Sequence, residues 1–307
     1  METFFYKRVA SFFAILLLAT LLLFSALDSS QRQVATVLPR IQPAVALHLL
    51  PSPEVPSPSP LPQGPKIMAE SYLVQMIGDE TPLLEHNGSK QMRPASLTKI
   101  LTSLLALEEL DLNAPVVFST FAKAIGEKES QVQAGEAFIR NDAIRFAVVE
   151  SANDAATALA EAIGRKRGAF SFEDAELLFK QAANQKAQEL GMINSQFENP
   201  TGLDDERHFT TAQDLFRLVS YVSENYPEIW DFSRASDADI QSLRGVTYHI
   251  VATNQLLSEF PALMGGKTGL TDVAKGTLIL LYPVKLTTHT AVIVILGSDN
   301  RFEDAVS

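Results

Sequence analysis

Ser96 and Lys99 stand three residues apart at the head of an apolar run, in Arg93-Pro94-Ala95-Ser96-Leu97-Thr98-Lys99-Ile100-Leu101. A serine hydroxyl is a poor nucleophile until a neighbouring base takes its proton. A lysine can be that base when burial and nearby positive charge lower its pKa. Residues at i and i+3 share a helix face, so the two side chains can meet. Ile100, Leu101, Leu104, Leu105 and Leu107 recur at the spacing of one helix face. Pro94 suits a helix start, where its missing N–H would be unpaired anyway. The stretch predicts a Ser–Lys nucleophile pair at the N-terminus of a buried helix. The plainer alternative is a serine cap with a solvated lysine. An S-x-x-K match arises about once by chance in a chain of this length, so partners elsewhere must decide.

Two further stretches offer partners. Ser151-Ala152-Asn153 interrupts the apolar sequence VVESANDAATALAEAI with a hydroxyl that can relay a proton and an amide that can hold a peptide group. Polar groups inside such a stretch need partners, and a site supplies them; a local helix break with Ser151 and Asn153 bonded to backbone is the alternative. Ser223-Glu224-Asn225 and Ser298-Asp299-Asn300 share the pattern but read as a helix end and a turn. Gly265-Gly266-Lys267-Thr268-Gly269 occurs once. On a strand edge it offers a cation and a hydroxyl for a carboxylate, and Gly269 is read as clearing space for a substrate against the backbone. A Gly-flanked turn with an exposed lysine is the alternative.

The elements that must position these groups follow from pattern. Residues 69–77 read as a strand, 78–82 as a turn and 83–85 as a returning strand. Residues 144–163, 172–190 and 212–222 have helical spacing, and 276–296 are β-like in two runs. Strands therefore lie at both ends of the folded part, with helices between. The chain has 307 residues, 46% of them hydrophobic, enough for a sizeable core. A net charge of −11 argues against a nucleic-acid partner. No cysteine is present, which removes disulfides, thiolate metal sites and a cysteine nucleophile.

Ahead of the globular part, residues 1–8 end in Lys7-Arg8, and 9–27 run without a charge. Nineteen such residues nearly span a bilayer core as a helix. The bulky Phe24 disfavours cleavage after Ala26, so an uncleaved anchor is expected. The preceding cations set the N-terminus on the cytoplasmic side. Residues 28–65 read as a linker, because prolines at nearly every second position from Pro51 to Pro65 favour an extended spacer. The remainder, 66–307, is expected to be one catalytic domain.

S-x-x-K, S-x-N and K-T-G, in that order, resemble the signature of the penicillin-recognising serine hydrolases. RPASLTKILT, Gly135-Glu136, ESANDAATALAE, FENPTGLDDERHFTTAQDL and GGKTGLTDVAKGTL are similar to one branch of them, the D-alanyl-D-alanine carboxypeptidases of the low-molecular-mass penicillin-binding proteins. The resemblance covers roughly Ala69 to the C-terminus. It implies an α/β (α+β type) fold like that of β-lactamases and D,D-peptidases: a five-stranded antiparallel sheet flanked by helices, plus a mostly helical subdomain carrying the second motif. It implies Ser96 as acylating nucleophile, Lys99 as base and Ser151 as proton relay. Asn153 would contact the substrate, and Lys267 and Thr268 would hold its terminal carboxylate. The backbone N–H groups of Ser96 and Leu270, beside Gly269, would form an oxyanion hole worth about 3–4 kcal/mol per donor. Arg301 would be a further carboxylate contact. The implied substrate is a peptidoglycan stem peptide ending in D-Ala-D-Ala, with β-lactams as inhibitors and no metal or organic cofactor. The implied location is the cell membrane, with a single pass and the domain outside the cytoplasm. An endopeptidase or β-lactamase on the same fold, or a non-catalytic wall-binding module, are the rival expectations. No E-x-x-L-N segment supports a β-lactamase; Glu198-Asn199 belongs to the carboxypeptidase-like stretch. Ala274-Lys275-Gly276 departs from the Ala-Gly usual after the third motif, which leaves the strand geometry there open.

Overall fold

Hydrophobic runs at the two ends of the folded region belong to one sheet. In the computed structural model, which describes residues 64, 66–284 and 289–307, the chain from Pro62 to Ser307 forms one unit. The expected tail at 1–8, the span at 9–27 and all of the 28–65 linker except Gly64 lie outside the described residues. Among the described residues no helix is long and apolar enough to cross a membrane.

The sheet begins with β1 (Ser71–Met76) and β2 (Leu84–His86), and is completed by β7 (Gly265–Thr271), β8 (Lys275–Pro283) and β9 (Thr290–Ser298). Its order is β2-β1-β9-β8-β7, and every pairing is antiparallel. The expected five-stranded antiparallel sheet is therefore present, with β7, the strand of the third motif, at one edge. Strands β8 and β9 are apolar on both faces because both faces are covered. Ile279, Leu281, Val292 and Val294 join the main core, whereas Leu278, Leu280 and Ile295 join a smaller cluster on the other side. Lys275 has φ +56 and pairs with Thr271, so it turns the β7–β8 corner, with its ammonium near Glu70 and Asp299. The unusual residue thus sits in the hairpin corner while the pairing of the third motif itself stays regular.

Between the outer strands lie the helices. A 3-10 turn at Ala95–Leu97 leads into α1 (Thr98–Glu109), followed by β3 (Pro115–Val117), α2 (Thr120–Lys123) and β4 (Ala137–Ile139). Then come α3 (Arg140–Arg145), a π turn at Phe146–Glu150, α4 (Asn153–Lys166), α5 (Phe172–Glu189), α6 (Ala212–Asn225) and α7 (Glu228–Ser233). A hairpin of β5 (Asp237–Gln241) and β6 (Thr247–Val251), then α8 (Leu256–Glu259), lead to the last three strands, and α9 (Arg301–Val306) closes the described chain. Helix α1 is buried from Thr98 to Leu107, so it is the central helix rather than an amphipathic flank. Each fully buried leucine there, such as Leu101 or Leu104, contributes about 1.5–3 kcal/mol. Ser171 and Asp174 form a capping box that starts α5, as its sequence position before Phe172 demands.

One expectation needs correction. The apolar spacing over 144–163 predicts a single helix, but the backbone breaks there. The π turn ends at Ser151, which has φ +66, and a new helix starts at Asn153. Periodicity cannot register the break because residues on both sides bury into the same core. Buried Asp154, in the first turn of α4, fixes the preceding loop: it accepts from Lys123 Nζ at 2.6 Å and from Ser130 Oγ at 2.6 Å. Replacing one partner of a buried pair strands the other. Asp154→Ala is expected to lower the unfolding free energy by about 3 kcal/mol, read by urea denaturation. A loss under about 1 kcal/mol would show that Glu129, 3.3 Å from the same ammonium, suffices to hold the loop.

Candidate active site

The turn that presents Ser96 is strained and braced from three sides. Ala95, just before it, has φ +48, a conformation that a residue with a Cβ adopts at a cost of about 1–3 kcal/mol. Thr277 Oγ1 on β8 donates to Pro94 O at 3.0 Å, and Thr98 Oγ1 donates to Ala95 O at 3.0 Å. Gly202, at φ +84, lies where any Cβ would collide with Ala95 O. Gly269 has a similar duty. A Cβ there would lie 2.9 Å from Ser96 N and 2.9 Å from Ala95 Cβ. This corrects the reading of Gly269 as room for a substrate: the room is taken by the nucleophile turn, which the glycine lets close onto β7. The backbone N–H of Ser96 is thereby held against the 269–270 edge, beside the exposed Leu270.

His208 supports this turn from below. Its Nδ1 accepts from Glu198 N at 3.3 Å, which leaves the proton on Nε2, 3.0 Å from Thr98 Oγ1. The ring is buried, and burial pushes its pKa down to about 4. Asp205 and Glu198 pull the other way, and Arg93 and Lys99 add to the lowering.

Lys99 is fully buried on α1 and reaches three oxygens from three parts of the chain. Its Nζ lies 2.8 Å from Ser96 Oγ, 2.7 Å from Asn153 Oδ1 and 2.7 Å from Thr201 O. The amide and carbonyl oxygens can only accept. A neutral amine would give its two N–H groups to them and turn its lone pair to the Ser96 hydroxyl. Burial first, then the charge of Lys128, lowers the Lys99 pKa well below that of a free lysine, against a smaller pull from Asp154. Geometry and charge therefore point the same way, to a base facing a hydroxyl.

Ser151 and Lys267 make a second pair. Lys267 Nζ donates to Ser151 Oγ at 2.7 Å and to Thr268 O at 2.7 Å. Lys267 is also buried, and its pKa falls well below the usual value through burial, then through Lys99, Lys128 and Arg301. The left-handed break places Ser151 toward β7 while Asn153 turns toward α1. Thr268 Oγ1 bonds with Thr253 Oγ1, in the segment after β6. Arg301, at the start of α9, stacks over Phe302 at 4.6 Å, with its side chain against Gly276. It is close enough to depress Lys267 but forms no ion pair among the described residues.

Sequence reasoning missed Thr201, His208, Thr253 and Lys128. Thr201 and His208 lie inside FENPTGLDDERHFTTAQDL, where Asn199 Oδ1 organises the turn by accepting from Thr201 N and Gly202 N. The Asn-Pro-Thr-Gly run signals a tight turn, though nothing in it names the lysine that Thr201 serves. Glu198 points its carboxylate elsewhere, to Lys180, Arg207 and Gln196.

Comparison with known proteins fits this geometry. Residues 59–300 match the D-alanyl-D-alanine carboxypeptidase family of peptidases, and the chain belongs to that family. It is 30% identical over 226 residues to D-alanyl-D-alanine carboxypeptidase DacF of Bacillus subtilis, covering 72% of this chain and 55% of that protein. It is 28% identical over 259 residues to a D-alanyl-D-alanine endopeptidase of Pseudomonas aeruginosa, covering 81% of this chain and 79% of the relative. Among solved structures it resembles the DD-transpeptidase of Streptomyces K15 in fold, with TM-score 0.72, 22% identity and coverage of 79% and 95% of the two chains. The D-alanyl-D-alanine carboxypeptidase of Mycobacterium tuberculosis gives TM-score 0.68 at 26% identity, covering 81% and 90%.

The His208 shift has a measurable consequence. Its folded pKa, about 4, lies below the unfolded 6.5. As pH falls from about 6.5 toward 4, the unfolded chain takes up a proton that the folded chain refuses, so stability is lost through that window. The drop in unfolding free energy between pH 7.5 and 4.5 is expected to be about 2–3 kcal/mol smaller in His208→Asn than in wild type. Parallel pH profiles for the two proteins would refute a buried neutral His208.

Proposed function

We propose that the protein is a serine D,D-carboxypeptidase that removes the terminal D-Ala from peptidoglycan stem peptides. The observation that carries this reading is the contact of Lys99 Nζ with Ser96 Oγ, in a site where the other two Lys99 partners can only accept. Ser96 Oγ attacks the carbonyl of the penultimate D-Ala, and its proton passes to Lys99. The oxyanion that forms is held by the N–H groups of Ser96 and Leu270. The peptide C–N bond breaks, and the leaving D-Ala amine takes a proton from the Ser151 hydroxyl, which is replenished by the proton that Lys99 took from Ser96, so that Lys99 is neutral again. The D-Ala carboxylate is held by Lys267, Thr268 and Arg301, while Asn153 binds the donor peptide. Water then attacks the ester, with Lys99 as base, releasing the shortened peptide and restoring Ser96.

An endopeptidase that cuts the same D-Ala–D-Xaa bond in cross-links is the second reading, favoured by the likeness to the Pseudomonas aeruginosa relative. Against a β-lactamase stands Glu198, whose carboxylate is engaged by Lys180, Arg207 and Gln196. A penicilloyl group on Ser96 would therefore be long-lived. We infer further that residues 9–27 anchor the domain in the cell membrane and that 28–65 let it reach the wall outside.

Three experiments test these assignments. Residues 62–307 incubated with benzylpenicillin should gain the mass of one penicilloyl group that persists, and Ser96→Ala should gain none. The same protein should release D-Ala from a D-Ala-D-Ala peptide, with Lys99→Met reducing turnover by at least about a hundredfold. A folded protein that neither acylates nor releases D-Ala would make this a wall-binding module. For the anchor, carbonate extraction of cells should leave the full chain in the membrane pellet. Full release to the supernatant would remove residues 9–27 as a membrane span.

A further inference from the structure

Lys128 is held at the site by an unusual piece of backbone. It lies between α2 and β4 with φ +38, directly after Glu127 with φ +49. Two successive side-chain-bearing residues in the left-handed region persist only where the surroundings enforce them. Asn153 enforces both. Its Nδ2 donates to Glu127 O at 3.1 Å, and its backbone N–H donates to Lys128 O at 3.0 Å. The Oδ1 of the same side chain binds Lys99. The residue that grips the candidate base thus also sets where Lys128 stands. The Asp154–Ser130 bonds pin the loop two residues further on.

The Lys128 ammonium has no partner to match. Among the described residues, no hydrogen bond or ion pair reaches its Nζ. Arg301 repels it, and Glu150 attracts it without pairing. Neighbouring Glu129 is turned to Lys123, at 3.3 Å. Arg301 Nε is itself buried without a partner. Lys128, which is exposed, and Arg301 therefore place two cations beside the buried amines of Lys99 and Lys267, in a chain whose net charge is −11. Such local concentration against the overall sign marks a place that receives anions.

A peptide ending in D-Ala-D-Ala offers one carboxylate on its leaving residue, and Lys267, Thr268 and Arg301 answer it. Any second carboxylate must lie upstream of the scissile bond. We propose that Lys128 is a specificity-determining residue that receives a carboxylate carried by the acyl-donor part of the substrate, on the side chain preceding D-Ala-D-Ala. This rests on the peptidase reading above and narrows its substrate to stem peptides with a free acid at that position.

The test uses two otherwise identical peptides, with L-lysine or meso-diaminopimelate before D-Ala-D-Ala, which differ by one carboxylate. Wild type should prefer the diaminopimelyl peptide. Lys128→Met should reduce the ratio of kcat/KM between the two by about tenfold, as expected for one lost charge-assisted contact, with the change in KM. Lys128→Arg, which keeps the charge, should restore most of the ratio. An unchanged ratio in Lys128→Met, with both peptides still cleaved, overturns the Lys128 assignment alone. If folded wild type cleaves neither peptide, the peptidase reading falls and this assignment falls with it.

Discussion

The structure depends on keeping one lysine amine inside an apolar helix. Lys99 is 0% exposed, and an unpaired ammonium in such a place would cost several kcal/mol. It is tolerated because Ser96, Asn153 and Thr201 bring oxygens to it from three separate segments. Each of those segments is bent out of its ordinary path to do so. Ala95 is left-handed so that Ser96 follows a tight 3-10 turn into α1. The helix before Asn153 breaks at Ser151. The Thr201 turn closes under α1, with Thr102 Oγ1 donating to Pro200 O at 2.7 Å. The strain at Ala95 and Ser151 is local, and the surrounding core of α1 and α4 is large enough to hold it.

Burial lowers the pKa of Lys99, and a second lysine strengthens the effect in the neighbourhood. Lys267 feels Lys99, Lys128 and Arg301 after burial itself. Two amines that both resist protonation can divide the labour. In the proposed reaction one takes the proton of Ser96, and the other holds Ser151, whose hydroxyl would return that proton to a leaving amine. The break at Ser151 makes this division possible. In a continuous helix Ser151 and Asn153, two residues apart, would point to different faces with no shared cavity. With Ser151 left-handed, its hydroxyl meets Lys267 while the Asn153 amide meets Lys99.

Much of this was legible in sequence where pattern and physics coincide. The end strands, α5 near 172–190 and α6 from Ala212 follow from spacing and caps. The two spare S-x-N tripeptides are indeed the end of α6 and the turn after β9. What escaped was whatever depends on a partner distant in sequence. Gly269 reads as open space until the Ser96 turn is packed against it. His208 is one polar residue in a polar loop until its ring is placed under Thr98. Lys128, in Gly-Glu-Lys-Glu-Ser, reads as a solvated charge run, and only Asn153 gives it an address. In the β5–β6 hairpin only Ile240 and Ile250 are fully buried, with Ala238 and Tyr248 packed partly against the core, too few apolar positions to announce two strands.

The fate of the acyl-enzyme follows from which bases remain free. Glu198, a carboxylate close in sequence to the Lys99 acceptor Thr201, is bound by two cations and an amide. Burial alone would raise its pKa, but the Lys180 and Gln196 bonds hold it below the usual range. In the proposed reaction Lys99 would then activate water as well as serine. In the proposed reaction, the D-Ala that leaves once a peptide acylates Ser96 would clear a place for water beside Lys99. A β-lactam nitrogen, still tethered through the opened ring, would keep that place filled. One base serving both half-reactions would then make the same site an esterase toward peptides and a trap toward penicillins. The difference lies in the geometry of the leaving group, and no further residue need change.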